Sequence, residues 1–257
     1  MRLAHSIVSI VPGKRDRKQF IRETMFSLDQ IVPWGRSFDE YSAIFSLADA
    51  EMAGRILGCG DGPASFNAEA TRRGAKAVSC DPIYSFSKAD IEARITTTYA
   101  QVIDQIRQNQ NEFIWKAISS VEELGRVRMA AMQTFLADYP AGLAEGRYLN
   151  AKLPSLPFSD GEFDLALCSH LLFLYSQQLD AGFHHASLLE LCRVAKEVRV
   201  FPLLTFGGTI SPHLEGSVEM LREAGHHVSI ERVNYEFQRG ACEMLRIQRD
   251  DSNIKGP

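Results

Sequence analysis

The stretch RILGCGDGPASF, residues 55–66, constrains this chain more than any other. A short apolar run enters a turn with glycines at 58, 60 and 62. Pro63 suits the first turn of a helix, where its missing N–H would have no partner anyway. ASFNAEATRRG continues that helix and stops it at Gly74, and AKAVSCD reads as a second strand ending at Asp81-Pro82. Strand, glycine turn, helix and strand within residues 54–81 make one βαβ unit, which commits the chain to a parallel sheet.

Such a turn lets the backbone come close to a ligand, and the helix that follows offers unpaired N–H groups. Two ligand classes use it. A dinucleotide site wants G-x-G-x-x-G, but the third position here is Pro63 and the spacing is G-x-G-x-G. Asp81 lies at the end of the second strand, where a carboxylate can accept hydrogen bonds from both hydroxyls of a ribose. Asp-Pro is also an ordinary turn dipeptide. The ordered set of strand, glycines, helix, strand and Asp points to a nucleoside.

The rest of the chain alternates in the same way, with one departure. RSFDEYSAIFSLADAEMAG has Ser37 as a cap and Phe38, Tyr41, Phe45 and Ala48 at helical spacing, so a helix ending near Gly54 is expected. Residues 85–140 show no strand pattern, and their apolar spacing predicts two or three long helices, a helical insertion in an otherwise alternating fold. GRYLNAK, residues 163–169 and VRVFPLL read as strands, with helices at DAGFHHASLLELCRVAK and HLEGSVEMLREAG. HHVSIERV and CEMLRIQR close the chain as an antiparallel hairpin. The expected class is α/β: a doubly wound, mainly parallel, seven-stranded Rossmann-like sheet with a C-terminal antiparallel hairpin. The expected organisation is an N-terminal segment and cap helix over 1–53, the main domain over 54–249 and a tail over 250–257.

With 257 residues, 45% of them hydrophobic, the chain can build one sizeable core. A net charge of −4 argues against nucleic acid or an anionic membrane as the main partner. The densest basic cluster, Lys14, Arg15, Arg17 and Lys18, reads as a solvated face. Five cysteines without a C-x-x-C pair, four of them in apolar runs, read as reduced thiols of a cytoplasmic protein. No run approaches the length of a membrane span.

Taken in order, ILGCGDG, SCD, LPFSDGEFDLALCSH and LLELCRVAKEVRVF resemble the successive motifs of class I S-adenosylmethionine-dependent methyltransferases of the small-molecule type, over residues 54–204. The resemblance implies S-adenosyl-L-methionine as cofactor and in-line methyl transfer to a small-molecule acceptor. It implies that Gly58, Cys59, Gly60 and Gly62 line the methionine and ribose, that Asp81 takes the ribose hydroxyls, and that Pro82 and Ile83 pack beside the adenine. Asn150 and Ala151 fall where the family often has an Asp that bonds adenine, and Ser169 and His170 face the sulfonium and the substrate. Three positions depart from the pattern. Ile56 stands where an acid is common before the first glycine, the acid before LPF is missing, and AKEV replaces a glycine pair. Residues 85–140 have no counterpart in the short helix usual there.

His170 is the candidate for proton removal, or for a backbone or cofactor contact. Arg36 is a candidate partner for the methionine carboxylate. Tyr175, Trp34, Trp115 and Phe113 are candidates for the cleft or for the core. His184-His185 and His226-His227 have no ligand spacing for a metal, because neighbours on a helix or strand point apart. The alternatives are a catalytically inactive cofactor-binding module of the same fold, an RNA or protein methyltransferase, and a dinucleotide oxidoreductase. The insertion is a candidate lid or oligomer contact.

Overall fold

The computed structural model describes residues 32–249. The basic cluster at 14–18 and the tail at 250–257 lie outside the described residues. The strands are β1 Arg55–Cys59, β2 Lys76–Cys80, β3 Tyr148–Leu149, β4 Phe163–Ser169, β5 Ala195–Phe201, β6 His227–Arg232 and β7 Glu243–Gln248. The helices are α1 Phe38–Phe45, α2 Phe66–Arg72, α3 Lys88–Gln108, α4 Val121–Ala144, α5 Ala181–Val194 and α6 Leu214–Glu223.

The strands form one sheet in the order β3-β2-β1-β4-β5-β7-β6. β1 pairs in parallel with β2 and β4, and β4 pairs in parallel with β5. β7 runs antiparallel to both β5 and β6. This is the doubly wound sheet with a terminal hairpin that the sequence predicts. The order reverses between β1 and β4, which opens a crevice at their carboxyl ends.

Alternation along the strands divides the core. Leu57, Cys59, Ala166, Cys168 and Val198 pack under Leu188, Leu191 and Leu221 of α5 and α6. Ile56, Leu165 and Leu167 pack under Phe38, Tyr41 and Phe66 of α1 and α2. Ile56 is fully buried there, so a carboxylate at that position would have no solvent. Four cysteines are buried and Cys242 is half-buried, all of them free. No helix of the described residues is long and apolar enough to cross a membrane.

Three local expectations are corrected. α1 ends at Phe45, not near Gly54: Arg199 Nη1 donates to the Phe45 carbonyl at 2.7 Å and Ser46 turns left-handed. A short 3₁₀ turn, Asp49–Ala53, follows with no buried residue. Pro63 sits in the turn ahead of α2, because the Ala64 N–H closes a turn onto Asp61 and the Ser65 N–H donates to the Arg36 carbonyl. The helical stretch does not stop at Pro140 but runs to Ala144, where Gly142 lets the Tyr148 ring lie against the helix.

Residues 88–144 form two helices of 21 and 24 residues. The second half of α4 packs on α2 and β3, with Met132, Phe135, Leu136 and Tyr139 in a cluster with Tyr84 and Tyr148. That half is the crossover helix from β2 to β3. α3 packs on α4, and its Ile91 and Ile95 join the same cluster.

Ser37 closes α1 with a reciprocal box: its hydroxyl accepts from the Glu40 N–H, and Glu40 accepts from the Ser37 N–H. Ser37→Ala is expected to lower stability by about 1 kcal/mol in urea denaturation, at an unchanged slope.

Candidate functional site

A cavity of about 600 Å³ fills the crevice. The β1 turn contributes Cys59, Gly60, Asp61 and Gly62. The end of β2 contributes Asp81, Pro82 and Ile83, and the end of β4 contributes Ser169 and His170. Ala151 and Lys152, just after β3, close one side.

Asp81 is held by backbone. Its Oδ2 accepts from the Gly62 N–H at 3.0 Å and its Oδ1 from the Ile83 N–H at 2.8 Å. A carboxylate has about four acceptor positions, so capacity remains for hydroxyls of a ligand. Burial raises the Asp81 pKa, and the two backbone donors oppose that. Gly60 and Gly62 take left-handed backbone conformations, and a side chain on Gly60 would run into Leu171 at 2.6 Å.

The turn depends on a residue that sequence reasoning missed. Asp61 folds back beneath β1, accepting from the Tyr41 hydroxyl at 2.8 Å and the Ser79 hydroxyl at 2.6 Å. Gly58 leaves the room for it: a Cβ there would sit 1.8 Å from Asp61 Oδ2. Gly58 therefore shapes the turn from below, and it does not line the cavity. A signal was present, an acid set between two glycines.

His170 lies in the cavity with a left-handed φ of 56°. Its Nδ1 is 2.8 Å from Ser169 Oγ. Burial, then the charges of Arg36 and Arg128, hold its pKa well below the usual value. The imidazole is neutral at physiological pH and a weak base.

Arg36 and Arg128 both reach the cavity. Arg128, on α4, is 0% exposed and pairs through Nη1 with Glu40 Oε2 of α1. The Tyr235 hydroxyl donates to Glu40 Oε1 at 3.0 Å. Arg36 Nε, Arg128 Nε and Arg128 Nη2 have no hydrogen-bond partner. Arg128 falls on the apolar stripe of α4, four residues after Leu124 and four before Met132, and that placement was its signal in the sequence.

Among the other candidates, Trp34, Phe113 and Tyr175 line the cavity. Trp115 packs beside Phe113 and Phe237 in the cap. Asn150 is exposed, and its neighbour Ala151 lines the cavity. His184 is buried, accepting from the Phe173 N–H at 3.0 Å, and serves packing. No group of three potential metal ligands occurs among the described residues.

The fold and the crevice define a doubly wound α/β protein with a cavity at its switch point. The chain belongs to the family of the uncharacterized protein MJ0045 of Methanocaldococcus jannaschii, with which it is 32% identical over 224 residues, 87% of this chain and 98% of that one. No family model matches it. Among solved structures it is similar to the mitomycin 7-O-methyltransferase MmcR, at 14% identity and a TM-score of 0.46, over 83% of this chain and 54% of that one. It is also similar to magnesium protoporphyrin IX methyltransferase (ChlM) from Synechocystis PCC 6803 with bound SAH, at 15% identity and a TM-score of 0.45, over 83% and 81%. A SAM-dependent methyltransferase from Aquifex aeolicus gives 14% and 0.42, over 91% and 98%. The architecture stands on the sheet order itself.

Asp61 carries a pH signature. Burial raises its pKa to about 7, against the pull of the Ser79 and Tyr41 hydrogen bonds. In the unfolded chain it titrates at about 3.9. The folded state therefore holds the extra proton between these values, and stability from this group falls as pH rises through that window. Asp61→Asn removes the titration. Melting temperatures at pH 5 and pH 8 are expected to show wild type losing more than the variant over that rise.

Proposed function

We propose that the protein is an S-adenosylmethionine-dependent methyltransferase that acts on a small-molecule acceptor. The observation that carries this reading is the Asp81 carboxylate fixed against the Gly62 N–H across the switch point from Ser169 and His170. A glycine turn and an acid at the next strand end suit a nucleoside whose ribose lies on Asp81. In this reading Gly60, Gly62 and Asp81 hold the ribose, Pro82, Ile83 and Ala151 flank the adenine, and Arg36 takes the methionine carboxylate. The bound cofactor supplies a methyl group activated by a sulfonium.

The chain's own residues bind and orient. α1 and α4 exclude water above the turn. Ser169 fixes the His170 ring at the end of β4, facing the acceptor side. A neutral imidazole of low basicity suits hydrogen bonding to the acceptor better than removal of a tightly held proton. Acceptors that are already good nucleophiles are favoured.

Calorimetric titration with S-adenosylhomocysteine tests the reading. Micromolar binding is expected, and Asp81→Ala should weaken it by about 1.5–3 kcal/mol through loss of hydrogen bonds to a charged group. Unchanged affinity in that variant would remove the ribose assignment.

A further inference from the structure

Four charged side chains at the cavity wall are cationic, Arg36, Arg94, Arg128 and Lys152, against two carboxylates, Asp61 and Asp81. Glu40, behind Arg128, adds a third. The whole chain is acidic, at −4, so the positive balance is local. It is also graded: Arg94 and Lys152 are exposed at the mouth, Arg36 is half-buried, and Arg128 lies at the bottom.

Arg128 is the most informative of these. Glu40 engages Nη1 alone. Nε and Nη2, the two nitrogens of the side edge of the guanidinium, are buried and make no well-formed hydrogen bond; among the described residues the Tyr235 hydroxyl is the one protein oxygen besides Glu40 that interacts with this guanidinium. That edge is the fork that receives a carboxylate or phosphate through two parallel hydrogen bonds. Assigning Arg36 to the cofactor carboxylate leaves this second fork open. The sulfonium cofactor itself carries a net positive charge, which deepens the imbalance. The remaining wall here is apolar and aromatic, with Trp34, Phe113, Phe206, Phe237, Val102 and Ile106.

We infer that the methyl acceptor is a small organic acid, its apolar or aromatic body among the cap residues and its oxyanion on the side edge of Arg128. This rests on the methyltransferase reading above. Arg94 and Lys152 would draw the acid to the mouth, since a charged entrance raises the local concentration of the opposite charge.

The test uses protein saturated with S-adenosylhomocysteine, titrated calorimetrically with benzoate, phenyl phosphate and the neutral isostere benzamide. At least one acid is expected to bind and benzamide not to. The double variant Glu40→Gln, Arg128→Met removes both charges of the buried pair together, and is expected to weaken the acid by roughly 10- to 100-fold while S-adenosylhomocysteine binds as before. Arg128→Lys keeps the charge and the Glu40 pair but removes the fork; it covers the case of a double variant that does not fold, and should also weaken the acid. Equal binding of benzamide and benzoate, or binding of neither acid, overturns the inference. So does a parallel loss of S-adenosylhomocysteine affinity with unchanged affinity for methylthioadenosine, which lacks the carboxylate, because Arg128 would then serve the cofactor. If S-adenosylhomocysteine does not bind wild type, the cofactor reading fails by itself, and titration of the ligand-free protein with the same acids still decides whether the fork takes an oxyanion.

Discussion

The site depends on one buried carboxylate. Asp61 leaves the glycine turn, passes under β1 and joins two elements that chain connectivity does not join: Tyr41 on α1 and Ser79 on β2. Ser79 is in turn bonded by Asn67 of α2, whose amide also reaches the carbonyls of Ala77 and Arg147. An acid taken out of water at this depth needs every donor it has. The turn, the cap helix and the edge of β2 therefore come to one geometry together. Asp81, one strand end away, is aimed by the same turn through the Gly62 N–H.

A second tie closes the roof. Glu40 and Arg128 join α1 to α4 across 88 residues of sequence, and Tyr235 reaches in from the β6–β7 connection. A buried ion pair of this kind contributes little net stability, but it fixes which surfaces meet. At the outer rim the aromatic contacts of Phe113 with Trp115 and Phe237 are joined by backbone hydrogen bonds, the Ile114 N–H donating to the Phe237 carbonyl at 2.7 Å and the Arg239 N–H to the Glu112 carbonyl at 2.8 Å.

Most of the fold was legible in the sequence because its signals are local. Glycine punctuation, alternating apolar strands and a terminal hairpin are read within windows of ten residues, and β4 occupies Phe163–Ser169 as its apolar run predicts. Asp81 and the turn were legible for the same reason. The end of α1 was not, because the residue that takes its last carbonyl, Arg199, lies 154 positions away. The packing reason for Gly58 was not legible because the group that needs its missing side chain is the neighbouring Asp61, folded back on itself. Asn150 was placed by analogy of position; it follows the two-residue β3 and is exposed, while Ala151 lines the cavity. Arg128 carries a periodicity signal, a cation on an apolar stripe, whose meaning appears only once Glu40 is opposite it.

α4 is one helix with two masters. From Met132 onward it is held by the aromatic cluster against the sheet, and before that point Val121 and Leu124 pack on α3 while Arg128 reaches the cavity. The two stretches share a continuous backbone but answer to different selection. Change at the cavity-facing position of the former reshapes what the cavity admits, whereas change in the aromatic cluster is checked by folding itself. Divergence of ligand preference within such a lineage should therefore collect around Arg128 and at Arg94, Val102 and Ile106 of α3, leaving the distal half of α4 unchanged.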